Sequence, residues 1–243
     1  MPTVKANGIE MYYERHGSGE PLTLIMGLAC SARQWKWMVE ALSGQFEVIV
    51  FDNRGVGRTD KPDEDYTTEQ MADDTAALLD AIGVQRTHLM GASAGGMVAQ
   101  QVALRHPGKL RSLILGCTMP SFSMIPPTDE DVAQMALGGS HDIDPSDGAD
   151  AMLQLFLTAG YLDSKAPRIA EIKQIMIGEK DEQGPGAFWH QFNAIVTHDV
   201  METIGQVKTP TLIMVGSEDP IARADNARFL HEHIQSSELK VYE

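Results

Sequence analysis

The sequence predicts an α/β fold: a mostly parallel, twisted sheet with helices on both faces. Three observations carry this expectation. Short apolar runs recur without polar alternation at 22–26, 47–51, 87–90, 110–115, 211–215 and 239–242. Such runs suit strands buried on both faces, as a parallel sheet requires. Longer segments of helical character separate them, the alternation typical of βαβ units. Finally, 243 residues with 43% hydrophobic and 22% charged residues suit one large domain with a sizeable core.

The elements follow in order. Asn7-Gly8, a dipeptide that accepts positive φ at both central turn positions, separates Val4 from Ile9-Glu10-Met11-Tyr12-Tyr13-Glu14 and predicts an N-terminal hairpin. A helix is expected over 67–82 from Met71, Leu78, Leu79 and Ile82, with Thr67 and Gln70 as a capping box and Gly83 as the stop. A second is expected over 94–106, ended by Pro107-Gly108, and a third over 224–234.

Between 119 and 199 the strand signal vanishes. Pro120, Pro126-Pro127, Gly138-Gly139, Pro145, Gly160, Pro167 and Gly184-Pro185-Gly186 divide this stretch into short helices. The expected organisation is a core of 1–118 and 200–243, with a helical lid of 119–199 inserted after the sixth strand.

Bulk properties exclude several classes of function. The net charge of −15 and sequence pI near 4.8 argue against nucleic acid and anionic lipid as partners. No secretory leader or bilayer-length apolar run is visible, and Cys30 and Cys117 offer no disulfide framework, so a cytoplasmic protein is expected. There is no Cys cluster, no His-Glu-x-x-His and no Gly-x-x-x-x-Gly-Lys loop, so neither metal nor cofactor is expected.

The strongest chemical signal is Gly91-Ala92-Ser93-Ala94-Gly95, between a predicted strand and a predicted helix. That context makes it a nucleophile elbow: a sharp turn holds the Ser93 hydroxyl proud of the sheet, and the Ala94 N–H at the helix start can face an oxyanion. The competing reading is a Gly-rich turn with an idle serine. At the end of a later strand, Val215-Gly216-Ser217-Glu218-Asp219-Pro220 presents two carboxylates at the C-terminal sheet edge, where parallel α/β sheets bind ligands. Asp219 is favoured over Glu218 as an acid that orients a histidine, against the alternative that both cap the next helix. The small-residue loop Met26-Gly27-Leu28-Ala29 could supply a second oxyanion donor, the Leu28 N–H.

Together with Trp35, Phe51-Asp52-Asn53-Arg54-Gly55-Val56-Gly57-Arg58-Thr59, and Ala103-Leu104-Arg105-His106-Pro107, these motifs run in family order along nearly the whole chain. The sequence resembles the α/β-hydrolase superfamily, close to small serine carboxylesterases and 3-oxoadipate enol-lactonase-like hydrolases. It departs mildly where many members have His-Gly and this chain has Met26-Gly27. Asp52 and Arg54 are expected to tie a loop together.

The resemblance implies the chain order serine, acid, histidine. The family histidine follows the last strand, and the chain ends at Glu243, where that loop would begin. The expectation is therefore a chain that stops before its base and final helix, with the uncovered apolar face compatible with a homodimer. His231 and His233 are expected on the surface of the last helix.

The resulting expectation is a serine hydrolase acting on small to medium, largely apolar carboxylic esters through an acyl-enzyme on Ser93. The alternatives are an enol-lactonase or another serine-dependent activity, or a ligand receptor without turnover. Among the apolar lid residues, Met119, Phe156 and Trp189 are expected at the substrate pocket together with His190. The remaining lid group is Phe122, Met124, Met135, Met152, Tyr161, Met176 and Phe188.

Overall fold

The computed structural model describes residues 2–124, 128, 130, 143–182 and 186–243. Met135 and the breaks expected at Pro126-Pro127, Gly138-Gly139 and Gly184-Pro185 lie outside these residues. Eight strands form one sheet in the order β1-β2-β4-β3-β5-β6-β7-β8. They are β1 (Thr3–Ala6), β2 (Ile9–His16), β3 (Glu20–Ile25), β4 (Phe46–Phe51), β5 (Thr87–Ala92), β6 (Leu110–Gly116), β7 (Thr211–Gly216) and β8 (Ser237–Tyr242). The first two strands are antiparallel and the others parallel.

Each predicted strand lies where its apolar run does. Asn7 and Gly8 turn the β1–β2 hairpin with φ of 44° and 88°, the paired left-handed conformation that this dipeptide tolerates. Central β3 and β4 end in four consecutive buried residues each, with no polar alternation.

The described helices are α1 (Lys36–Leu42), α2 (Thr68–Ala81), α3 (Ala94–Arg105), α4 (Pro145–Phe156), α5 (Ala159–Asp163), α6 (Pro167–Glu182), α7 (Ala187–Val196) and α8 (Ala224–His233). Helix α2 starts as its sequence suggests: Thr67 Oγ1 accepts from Gln70 N–H at 3.1 Å. The side chain of Gln70 also donates from Nε2 to Glu64 at 3.4 Å. Helices α4 to α7 fall between β6 and β7. The two ends of this insert are joined by a bridge between Ser121 and Asp199 and by Val200 N–H to Pro120 O at 2.9 Å.

The loop after β4 is a rigid buttress. Arg54, 2% exposed, forms a bidentate ion pair with the equally buried Asp74 (2.5 and 2.8 Å). Asp52 accepts from Ala32 N–H at 2.7 Å and from both the backbone and the guanidinium of Arg58 at 2.9 Å. Both residues thus have the loop-tying role their motif suggests. Removing one member of a buried pair is costly because its partner is left charged and dry.

Strand order creates the functional edge. From β3 the chain steps outward to β4, then returns across β3 to β5. The loops leaving the C-terminal ends of β3 and β5 therefore diverge, opening a crevice at the switch point where α/β sheets bind ligands.

Candidate active site

Ser93 stands between β5 and α3 with φ 54° and ψ −123°, a conformation rare for a residue with a Cβ. The flanking glycines are required by close approach. A Cβ at Gly91 would lie 2.2 Å from the Gly95 carbonyl oxygen, and one at Gly95 would lie 2.3 Å from that of Ile25. Thr118, which belongs to no sequence motif, steadies the elbow by donating from Oγ1 to Ser93 O at 2.8 Å. The Ala94 N–H belongs to the first turn of α3, where a helix offers no internal acceptor.

The Met26-Gly27-Leu28-Ala29 loop lies against this turn. A Cβ on Gly27 would be 3.2 Å from Ser93 Cβ. Asn53 Nδ2 donates to Met26 O at 3.1 Å, and Cys30 N–H closes a turn onto Gly27 O at 3.3 Å. Ala29, with φ 60°, donates its N–H to Gln191 Oε1 at 2.9 Å.

On the other side, register aligns Ala92 with Gly116 and Gly116 with Met214, so the ends of β5, β6 and β7 share one edge. After β7, Asp219 is half-buried while Glu218 is exposed. Asp219 Oδ1 accepts from Ile221 and Ala222 N–H at 2.9 and 2.8 Å. It ties its own turn and does not cap α8, whose first turn has Arg223 as its flanking residue and no side-chain cap. Cys117 shows how near these groups lie. Burial and then the Asp219 charge push its thiol up to about 11, partly opposed by a hydrogen bond from the Ser93 backbone. The chain also leaves β8 beside this turn, since Ser217 N–H donates to Tyr242 O at 2.7 Å.

One apolar cluster unites the pieces. Leu28, Ala94, Met97, Met119, Leu155, Phe188, Ile195, Ile221 and Ala222 are all buried in it. They come from the β3 loop, the elbow helix, the insert and the acid turn. Beside Gly27 and Ala94, the neighbours of Ser93, lies a small cleft, partly open to solvent. Met26, Leu28, Met71, Val98 and Ile195 give it apolar walls, while Asn53, Thr68 and Gln191 supply polar groups.

The expected pocket residues divide. Met119, 3% exposed, is in the cluster with Leu28 and Ala94. Phe156 and Trp189 are instead 48% and 50% exposed, on the solvent sides of α4 and α7. Their chain neighbours Leu155 and Phe188 take the buried places, because one residue along a helix turns the side chain by about 100°.

His190 does not line this cleft. Its ring packs on Tyr66 (centroids 5.3 Å apart) and meets Asp63 and Asp65 at 3.1 and 3.4 Å, facing the loop before α2. The next residue, Gln191, is the one that reaches the cleft. Its signal was visible in the sequence as the only polar member of a helical stripe with Phe188, Ala194 and Ile195.

The other described histidines are engaged away from Ser93. His231 Nδ1 meets Ser237 Oγ at 2.9 Å, and His233 stacks on Phe229. His198 is buried behind the cleft residue Thr68, 2.9 Å from its Oγ1, and its Nε2 has no hydrogen-bond partner. Burial lowers its pKa from 6.5 to about 4. Below pH 6.5 the unfolded chain takes up this proton and the folded chain does not, so stability falls as pH drops towards 4. The expected loss is about 2 kcal/mol between pH 7 and pH 5. Urea unfolding of His198→Gln beside the parent at both pH values checks this: the variant should lose that part of the slope.

Among the described residues no group of three or more His, Cys, Asp or Glu could hold a metal ion, and no helix is long and apolar enough to cross a membrane.

Comparison with known proteins gives this geometry a family. Residues 20–140 match the model of the α/β-hydrolase fold family. The enol-lactonase of Burkholderia xenovorans LB400 superposes with a TM-score of 0.86 at 25% identity, over 100% of this chain and 91% of that one. The chain belongs to the α/β-hydrolase superfamily. Among curated relatives, this hydrolase is 29% identical over 240 residues to a putative carbamate hydrolase RutD of Pseudomonas savastanoi pv. phaseolicola, covering 96% of this chain and 89% of the relative. It is also 24% identical over 243 residues to 3-oxoadipate enol-lactonase 2 of Acinetobacter baylyi, covering 99% and 88%.

Proposed function

We propose that this hydrolase cleaves small to medium, largely neutral carboxylic esters through an acyl-enzyme on Ser93. The observation that carries the reading is the convergence of the Ser93 elbow, the Leu28 loop and the Asp219 turn on one cluster at the sheet switch point.

Ser93 Oγ attacks the carbonyl carbon while its proton passes to a histidine oriented by Asp219. The oxyanion is held by the N–H groups of Leu28 and Ala94. The same histidine protonates the leaving alcohol, and water then releases the acid through the same steps. In the family order serine, acid, histidine the base follows the acid, and β8 ends beside the Asp219 turn. The helices between β6 and β7 act as the lid, closing the apolar side of the cleft through Ala194 and Ile195.

The names of the relatives share one chemistry, attack on a carbonyl bonded to oxygen or nitrogen. The lining favours neutral substrates over carboxylated lactones: Asn53, Thr68 and Gln191 are polar but uncharged. Two basic lid residues are turned elsewhere, Arg168 over the Trp37 ring at 5.1 Å and Lys173 onto Asp150 at 2.6 Å.

The test is turnover of a p-nitrophenyl ester series, acetate to octanoate, by the full-length protein, beside 3-oxoadipate enol-lactone. Multiple turnovers with the short and medium esters exceeding those with the lactone are expected. Preference for the lactone would move the assignment to enol-lactonase. Tight ligand binding with at most one slow turnover would favour a receptor.

A further inference from the structure

We infer that Gln191 is a positioning residue that couples helix α7 of the insert to the Leu28 oxyanion donor, so that the donor is held in place only while α7 is seated. This deepens the functional reading above and rests on it.

Gln191 is 2% exposed and uses both ends of its amide. Oε1 accepts from Ala29 N–H at 2.9 Å, and Nε2 donates to Arg54 O at 2.7 Å. These bonds span 162 and 137 residues of sequence and tie the insert to two core loops. The amide is matched to this pair, since one neighbour offers only a donor and the other only an acceptor.

The two partners have different mechanical roles. Arg54 is fixed by its buried bidentate pair with Asp74, so its carbonyl is a rigid reference. Ala29 is the adjustable one. Its φ of 60° is costly for a residue with a Cβ and persists only where the surroundings enforce it.

Fixing Ala29 N–H fixes the plane of the Leu28–Ala29 peptide. The preceding residues are already held by Asn53 on Met26 O and by the Gly27–Cys30 turn. Leu28 is thus pinned from both sides, and of these three restraints only Gln191 comes from the insert. Withdrawing α7 would free Ala29 to leave its left-handed conformation and re-aim the Leu28 N–H.

The test compares the full-length parent with Gln191→Met, which keeps the length without the hydrogen bonds, and Gln191→Glu, which keeps an acceptor for Ala29 but opposes a carboxylate to Arg54 O. Two readouts are needed: amide hydrogen exchange of Ala29, and kcat and KM on p-nitrophenyl acetate.

In Gln191→Met, Ala29 exchange should rise at least about tenfold, and kcat should fall about 10- to 100-fold with KM within about threefold. That is less than the full loss of one oxyanion donor and lies in the transition state. Gln191→Glu should fall between parent and Gln191→Met in Ala29 exchange, which keeps the test readable if the methionine variant folds poorly. Unchanged Ala29 exchange overturns the clamp. Faster exchange with kcat unchanged overturns the coupling to the donor. Absence of Ser93-dependent turnover in the parent overturns the functional reading instead, and Ala29 exchange still decides the clamp.

Discussion

Replacing Ser93 by alanine is expected to lower kcat for ester hydrolysis by about 10⁵- to 10⁶-fold, the scale seen when a serine nucleophile is removed from an intact triad. The effect is chemical, because the elbow is built by its neighbours. Gly91 and Gly95 allow the close approach, and Thr118 holds the Ser93 carbonyl whatever the side chain. Substrate should still bind, and a residual acceleration of about 10³-fold over water should survive through the Leu28 and Ala94 donors. Steady-state kinetics together with the melting temperature separate the outcomes. A large fall in kcat with an unshifted melting temperature is expected. A variant that keeps more than a hundredth of parental kcat would remove Ser93 from the chemistry.

Substituting Asp219 by asparagine should cost about 10⁴-fold in kcat with little effect on KM. The side-chain oxygen of asparagine can still accept from Ile221 and Ala222 N–H, so the turn survives. What is lost is the negative charge and the second acceptor, which in the proposed mechanism would keep the histidine in the tautomer that takes the Ser93 proton and stabilise its imidazolium. Glu218→Gln is the contrast. Glu218 is exposed one residue earlier, and its loss should change kcat by less than about threefold, the ordinary scale for a surface substitution. Kinetics of the two variants side by side check the choice between neighbouring carboxylates. Equal losses would show that the carboxylate is not assigned to one position.

The fold was legible because its signals are local and mutually consistent. Asn7-Gly8 dictates a paired left-handed turn, and Thr67 caps α2. Buried strands such as β4 show unbroken apolar runs. The close contacts at Gly91 and Gly95 likewise follow from a five-residue string.

The insert was harder to read because apolar character along a helix does not say which side faces in. Trp189 and His190 stand out by size and chemistry, yet Phe188 takes the buried place and Gln191 lines the cleft. Phe156 and Leu155 exchanged roles in the same way. Thr118 and Gln191 carry no motif: helical spacing puts Gln191 on the stripe of Phe188 and Ile195, but each acts through a hydrogen bond to a backbone group far away in sequence, a partner that only the folded chain reveals.

Covalent trapping of the nucleophile tests the central claim most directly. The full-length protein is treated with a short-chain alkyl p-nitrophenyl phosphonate, then analysed by intact mass and by peptide mapping. One phosphonyl group on Ser93, with stoichiometric loss of ester hydrolysis and no labelling of Ser93→Ala, is the expected result. Labelling at another residue, or hydrolysis that continues at full rate with Ser93 unmodified, would contradict it.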